Sequence, residues 1–244
     1  MNVEVDSVGG IRTITIDRPH KRNALSRVMF DELIGLFEQV PSDEERVTVL
    51  RSTGPVFCSG IDLNERLVHG APPLAELCAV IRDYPLPVVG IVHGDAIAGG
   101  AFLAMACDFV VAAEAASIWF SLVQIGLAPP FELTNRLRMI AGPALARRLV
   151  LLGNPITAAE LARFGAIASA VPSSHLEAEA TGIIDRLAAN SLASLRAIKA
   201  TLLAGEESRD PAAATDLIVT ARDSRDGTVG VQARLAGRLP EYNK

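Results

Sequence analysis

Apolar and polar positions alternate through Val3 to Asp6 and again through Ile11 to Ile16, on either side of Gly9-Gly10. That period of two around a glycine pair predicts a β-hairpin, and Pro19 closes its second strand. The period then lengthens. Ser26 is placed to cap a helix whose Met29, Phe30, Leu33, Leu36 and Phe37 share one face. Val47, Val49 and Leu50 make a short strand, and the unbroken apolar run Pro87 to Val92 reads as a strand buried on both faces. Gly99-Gly100 then opens an apolar helix to Cys107, and Phe109 to Ala113 is the next strand. One helix is expected in the loop at 66–84, around Pro72-Pro73 and Pro85. Strand and helix in alternation predict parallel pairing in an α/β core.

The pattern changes in the second half. Helical periods run near 131–140, 142–152, 157–164, 174–189, 191–204, 211–222 and 224–236. Gly142-Pro143, Gly153-Asn154-Pro155 and Asp210-Pro211 punctuate them, and Ile167 to Val171 is one late strand. The organisation expected is a core at 1–190 and a helical segment at 191–244, together one functional domain.

Composition narrows the class. The chain has 244 residues, half of them apolar, with 28 acids against 23 bases. An acidic chain lacks the basic footprint of a general nucleic-acid binder. The longest apolar run, Ala96 to Cys107, is too short to cross a bilayer. The three cysteines, Cys58, Cys78 and Cys107, lack metal-ligand or CxxC spacing and read as reduced thiols, so no metal is expected. The first ten residues lack the basic and apolar regions of a signal peptide, and a cytoplasmic location is expected.

Two glycine turns carry the candidate chemistry: Phe57-Cys58-Ser59-Gly60-Ile61-Asp62-Leu63, and Gly94 to Phe102 with Gly99-Gly100 at a helix start. Facing each other, such turns would offer backbone N–H groups to a carbonyl oxygen that gains negative charge. With these turns stand Arg18-Pro19 and Asn23-Ala24-Leu25, His93-Gly94, Cys107-Asp108, and Gly126-Leu127-Ala128-Pro129 with Thr134 to Leu137. Arg225-Asp226-Gly227, Gly230, Leu235 and Arg238 to Tyr242 close the series. In this order the pieces resemble the enoyl-CoA hydratase/isomerase, or crotonase, superfamily over nearly the whole chain.

The resemblance implies an α/β spiral of ββα units with a helical C-terminal trimerisation segment, and a homotrimer or dimer of trimers. It implies an acyl-CoA ligand whose thioester oxygen lies between the N–H groups of Ile61 and Gly99. Coenzyme A enters as part of the substrate, and no separate cofactor is implied. Ser59, Asp62 and Leu63 fall where the family receives the adenine, Lys21 and Arg22 where it meets CoA phosphates, and Arg238 is a further candidate from the C-terminal helix.

Hydratases of this family use two glutamates. Their positions fall on Phe102, three residues after Gly99, and on Leu122, four before Gly126. Neither side chain can move a proton, so standard hydration is not expected. Glu132, just past Pro129-Pro130, is the substitute acid/base candidate; the plainer reading is an acid complementing a helix N-terminus. Phe102, Trp119, Phe120, Leu122 and Phe131 are expected to line an acyl pocket, with an ordinary core as the alternative. His93, Asp95, Asp62, Asp108 and Cys58 read as structural residues. Three functions remain open: enolate-stabilising catalysis, a non-catalytic acyl-CoA binder or carrier, and a scaffold.

Overall fold

A computed structural model describes residues 2–207, 212–236, 238 and 241–242. The expected Asp210-Pro211 break and the Leu239-Pro240 pair lie outside the described residues. Strands β1 (Val3–Val8) and β2 (Ile11–Ile16) form the hairpin, with Val8 opposite Ile11 across Gly9-Gly10. Helix α1 (Arg27–Glu38) follows, and the Ser26 hydroxyl accepts from the Met29 N–H as its cap. Then come β3 (Val47–Ser52), α2 (Leu63–His69), α3 (Leu74–Asp83), β4 (Val88–Val92) and β5 (Ala96–Ile97). Helix α4 (Gly99–Ala106), β6 (Phe109–Ala113), β7 (Ser117–Trp119), α5 (Phe131–Arg147), β8 (Ile156–Thr157), α6 (Ala158–Arg163) and β9 (Ser169–Val171) complete the core. The chain ends in α7 (Leu176–Ala188), α8 (Leu192–Glu207), α9 (Ala212–Asp223) and α10 (Arg225–Leu235).

The main sheet has the order β1-β2-β3-β4-β6-β9, antiparallel at the hairpin and parallel beyond it. The central strands are apolar on both sides because both faces are covered. Leu50, Val88, Val92 and Val110 pack in the core that contains Phe30 of α1, Leu77 of α3 and Leu103 of α4. The intervening residues Val49, Val89, Ile91 and Val111 pack with Ala180 and Ile184 of α7.

Several expectations shift. The loop at 66–84 holds two helices, α2 and α3, parted by Gly70 to Pro73. The helix expected at 142–152 is the end of α5 beyond a kink at Gly142 (φ 74), followed by a π-turn at Arg148–Leu152. A second, three-stranded sheet, β5-β7-β8, was not expected, because strands of two or three residues leave no readable period.

A buried ion pair joins α8 to the sheet. Lys199 Nζ lies 2.5 Å from Asp108 Oδ2 and donates to the Leu86 carbonyl at 2.9 Å, while Asp108 also accepts the Val88 N–H. Burial pushes the Asp108 carboxyl up and the Lys199 ammonium down, each against the pull of its partner. Asp108→Ala, which leaves Lys199 buried without its carboxylate, is expected to lose about 3–5 kcal/mol in urea unfolding. The joint change Asp108→Leu with Lys199→Met is expected to lose markedly less. Equal losses would show that the pair is not what holds α8.

Candidate functional site

The two glycine turns lie directly against each other. Ile97 N–H donates to the Cys58 carbonyl at 2.8 Å, and Cys58 N–H donates to the Asp95 carbonyl. Above them Leu25 donates its N–H to Gly60 O, and its carbonyl accepts the Asp62 N–H. Ile61 therefore turns its N–H to the opposite edge, away from Leu25. Gly99 is the first residue of α4, so its N–H has no acceptor within the helix. The approach is close: a Cβ on Gly99 would stand 3.5 Å from Ile61 N, and one on Gly100 would meet Cys58 O at 2.1 Å. Ala98 holds φ 50 and ψ −113, a strained conformation for a residue with a side chain, and its carbonyl accepts the N–H groups of Ala101 and Phe102.

Ile61 and Gly99 line one cleft of about 520 Å³. Lys21, Ser59, Asp62, Leu63 and Leu122 line it too, so the structure gathers these expected residues in one place. Arg66 and Ser121 also line it, and sequence reasoning missed both. The signal for Arg66 was its place one helical turn after Leu63 on α2; Ser121 had none beyond its neighbour Leu122. Among the described lining residues Asp62 is the sole carboxylate. It caps α2 by accepting the Asn64 N–H and lies 2.9 Å from Arg18. Burial opposes its ionisation, but Arg18 and the Asn64 N–H outweigh this and hold the carboxyl below its ordinary range.

Other expected residues lie elsewhere. Glu132 is exposed and lines a neighbouring cavity with Arg82 and Arg136, not the cleft. It sits in the first turn of α5, off the face that buries Leu133 and Leu137. Phe131, beside it, is 77% exposed and lines only the outer part of that cavity. Phe102 is buried beyond the cleft, edge-to-face on Phe120 with centroids 4.9 Å apart. Trp119 donates its indole N–H to the Gly153 carbonyl. Neither aromatic residue of the Trp119-Phe120 pair lines the cleft, so the expected five-residue pocket is divided between the cleft, the core and the cavity next door. Arg22 is exposed in a left-handed turn and Arg238 is exposed past α10; neither lines the cleft.

The residues read as structural have structural partners. His93 Nε2 lies 2.7 Å from Gly54 O, and Asp95 accepts the Ser117 N–H. Burial pushes the Cys58 thiol up to about 12, which keeps it protonated and a poor nucleophile. Asn23, quoted only as part of a motif, is fully buried: it accepts the Arg18 N–H and donates to Thr53 O and Val56 O, pinning the loop that reaches the cleft.

Fold and cleft together define an α/β protein that presents two backbone donors beside an apolar wall. The enoyl-CoA hydratase/isomerase family profile matches residues 6–225. The rat mitochondrial enoyl-CoA hydratase domain-containing protein 3 is 32% identical, over 96% of this chain and 82% of its own length. A probable enoyl-CoA hydratase of Rhodobacter capsulatus is 35% identical, over 96% of this chain and 94% of its own. The crystal structure of an enoyl-CoA hydratase from Polaromonas sp. JS666 superposes with a TM-score of 0.88 at 29% identity, covering 99% of both chains. The chain belongs to the enoyl-CoA hydratase/isomerase family.

Two predictions follow from this geometry. Gly100→Ala places a methyl group inside the van der Waals radius of a backbone oxygen and is expected to cost about 3 kcal/mol or more in thermal or urea unfolding; a neutral effect would mean the turns can slide apart. Asp62→Asn keeps a capping oxygen but loses the charge on Arg18, with an expected cost of about 1–3 kcal/mol at neutral pH. A depressed carboxyl stabilises the fold fully above its unfolded pKa and ceases to do so as pH falls through its folded pKa. The gap between Asp62→Asn and the parent should therefore close in acid, as read by unfolding at stepped pH.

Proposed function

We infer that the chain binds an acyl-CoA thioester and stabilises its enolate, with the thioester oxygen between the N–H groups of Ile61 and Gly99. The observation that carries this reading is the close packing of the two turns, which leaves both N–H groups at one cleft without a backbone acceptor among the described residues. Donors fixed in advance are worth about 3–4 kcal/mol each at a developing oxyanion, because they need no reorganisation. Lys21 and Arg66 supply positive charge at the same cleft for the phosphates of the coenzyme. Ser59, Asp62 and Leu63 form the side on which the adenine would lie.

Ordinary hydration does not fit the residues present. Phe102 and Leu122 stand where the family resemblance sets the two glutamates, and Asp62 is engaged by Arg18. The placement of Glu132 in the adjoining cavity gives no support to it as a replacement acid/base. That engagement of Asp62, the sole carboxylate among the described lining residues, favours a second reading, a non-catalytic acyl-CoA binder or carrier that keeps the same cradle. A homotrimer, or a dimer of trimers, is supported by apolar side chains left exposed on the C-terminal helices, among them Ile198, Leu202, Ile218 and Val231. The three buried, unpaired thiols fit a reducing compartment such as the cytoplasm. Among the described residues, no helix is long and apolar enough to cross a membrane.

Calorimetry with butyryl-CoA should show binding that weakens at least tenfold in Gly99→Pro, which removes one donor. Crotonyl-CoA hydration should run at least ~100-fold below that of a relative with both glutamates. Hydration at the relative's rate would overturn the glutamate argument, and absence of butyryl-CoA binding would overturn the cradle. Light scattering on the same sample should return the mass of three or six chains.

A further inference from the structure

Three segments of the chain run parallel at the base of the cleft, and their rungs are in register. Cys58 bridges Ala96, and Ala96 pairs with Ile118 across β5 and β7. Ile97 N–H donates to Cys58 O at 2.8 Å, and Ala98 N–H donates to Trp119 O at 2.6 Å. Three residues past this common rung stand Ile61, Gly99 and Ser121, and all three line the cleft. A fourth segment joins at the far side, where Leu25 bridges Ile61. The order across the cleft is therefore Leu25, Ile61, Gly99, Ser121.

The two sides of Gly99 differ in chemistry. Lys21 and Arg66, the cations of the described lining, belong to the segments at the Ile61 end: Lys21 leads into Leu25, and Arg66 follows Ile61 on α2. Ser59, the other described hydroxyl, lies toward that end too, with its N–H on Arg22 O. The opposite side is apolar but for one group. Of the described residues that 121–130 gives to the cleft, Leu122, Ile125, Leu127, Ala128 and Pro130 are apolar, and Ser121 alone has a polar side chain. Ser121 is half-buried at the start of a 3-10 turn, Ser121–Ile125, and its hydroxyl bonds no other group among the described residues. A serine hydroxyl can both donate and accept.

We propose that Ser121 selects an acyl group with a neutral oxygen on carbon 3, as in a 3-hydroxyacyl thioester. The proposal rests on the acyl-CoA reading above and names the acyl class. With the thioester oxygen at Ile61 and Gly99, carbon 3 lies two carbon–carbon bonds of about 1.5 Å each from the thioester carbon. Neighbouring strands stand about 4.8 Å apart, so an oxygen on carbon 3 spans from the Gly99 segment to that of Ser121. That oxygen is neutral because both lining cations stand at the other end. A carboxylate beside Ser121 would leave water with no positive partner. Where Ser121 meets a plain methylene instead, its hydroxyl gives up water and receives nothing, so the saturated chain is disfavoured. The hydroxyl approaches from one side, so the two configurations at carbon 3 are not equivalent.

The test is calorimetry of butyryl-CoA, of (3R)- and (3S)-3-hydroxybutyryl-CoA and of malonyl-CoA, read as binding without need of turnover. One hydroxybutyryl configuration is expected to bind about fivefold tighter than butyryl-CoA, the effect of one hydrogen bond. Malonyl-CoA, whose carbon 3 is a carboxylate, should bind no tighter than butyryl-CoA. The ratio of hydroxybutyryl to butyryl affinity should vanish in Ser121→Ala and return in Ser121→Thr, which keeps the hydroxyl. Equal affinity for butyryl-CoA and both hydroxybutyryl thioesters, a ratio that survives Ser121→Ala, or malonyl-CoA as the tightest ligand would each overturn the assignment. Failure of all four thioesters to bind would overturn the acyl-CoA reading itself.

Discussion

The contact on which the site depends is backbone against backbone. Gly100 lies so close to the Cys58 carbonyl that no side chain fits between them, and a Cβ on Gly60 would stand 3.0 Å from Gly99 N. That approach puts Ile61 and Gly99 side by side, and it aims the start of α4 at the cleft. The strain at Ala98 belongs to the same arrangement: its positive φ turns the chain from β5 into the helix within one residue. Strain of this kind persists only where surrounding structure outweighs it. Here the surroundings are a helix buried at every position and the bonds from Ile97 and Ala98 to the Cys58 and Trp119 carbonyls.

Around this contact the chain uses polar side chains as clamps more than as reagents. Asn23 and Arg18 tie the first loop, Asp62 ties α2 to Arg18, and Asp108 ties α8 to the sheet through Lys199. Each of these residues has the chemistry of a catalyst and the partners of a structural group. A carboxylate that already accepts from a guanidinium and a backbone N–H holds its charge too firmly to serve as a base near neutral pH. Asp62 is thus committed to Arg18, and Ile61 and Gly99 line the cleft beside apolar side chains. Helix α4 carries Phe102 inward, where its ring packs edge-to-face on Phe120.

Much of this was legible in the chain, and for definite reasons. The hairpin, the Ser26 cap and the buried strand at Val88–Val92 follow from period, capping chemistry and apolar runs, all of which act over a few residues. The glycine turns were legible because few residues other than glycine permit so close an approach. Ile61, Gly99, Ser59, Asp62, Leu63, Lys21 and Leu122 accordingly meet in one cleft. What the sequence could not determine is which face of an element turns toward which neighbour. Glu132 and Leu133 are adjacent in the chain, yet one is exposed and the other buried, because α5 docks through Leu133 and Leu137. Phe120 and Phe131 are equally apolar, yet one is sealed in the core and the other lies at an outer rim. The three short strands of the second sheet, the kink at Gly142 and the meeting of Phe102 with Phe120 depend on contacts between segments far apart in sequence. Such contacts are settled only when the whole core closes, so the sequence by itself determined the glycine turns and the family, and the tertiary structure decided which side chains share one cleft with them.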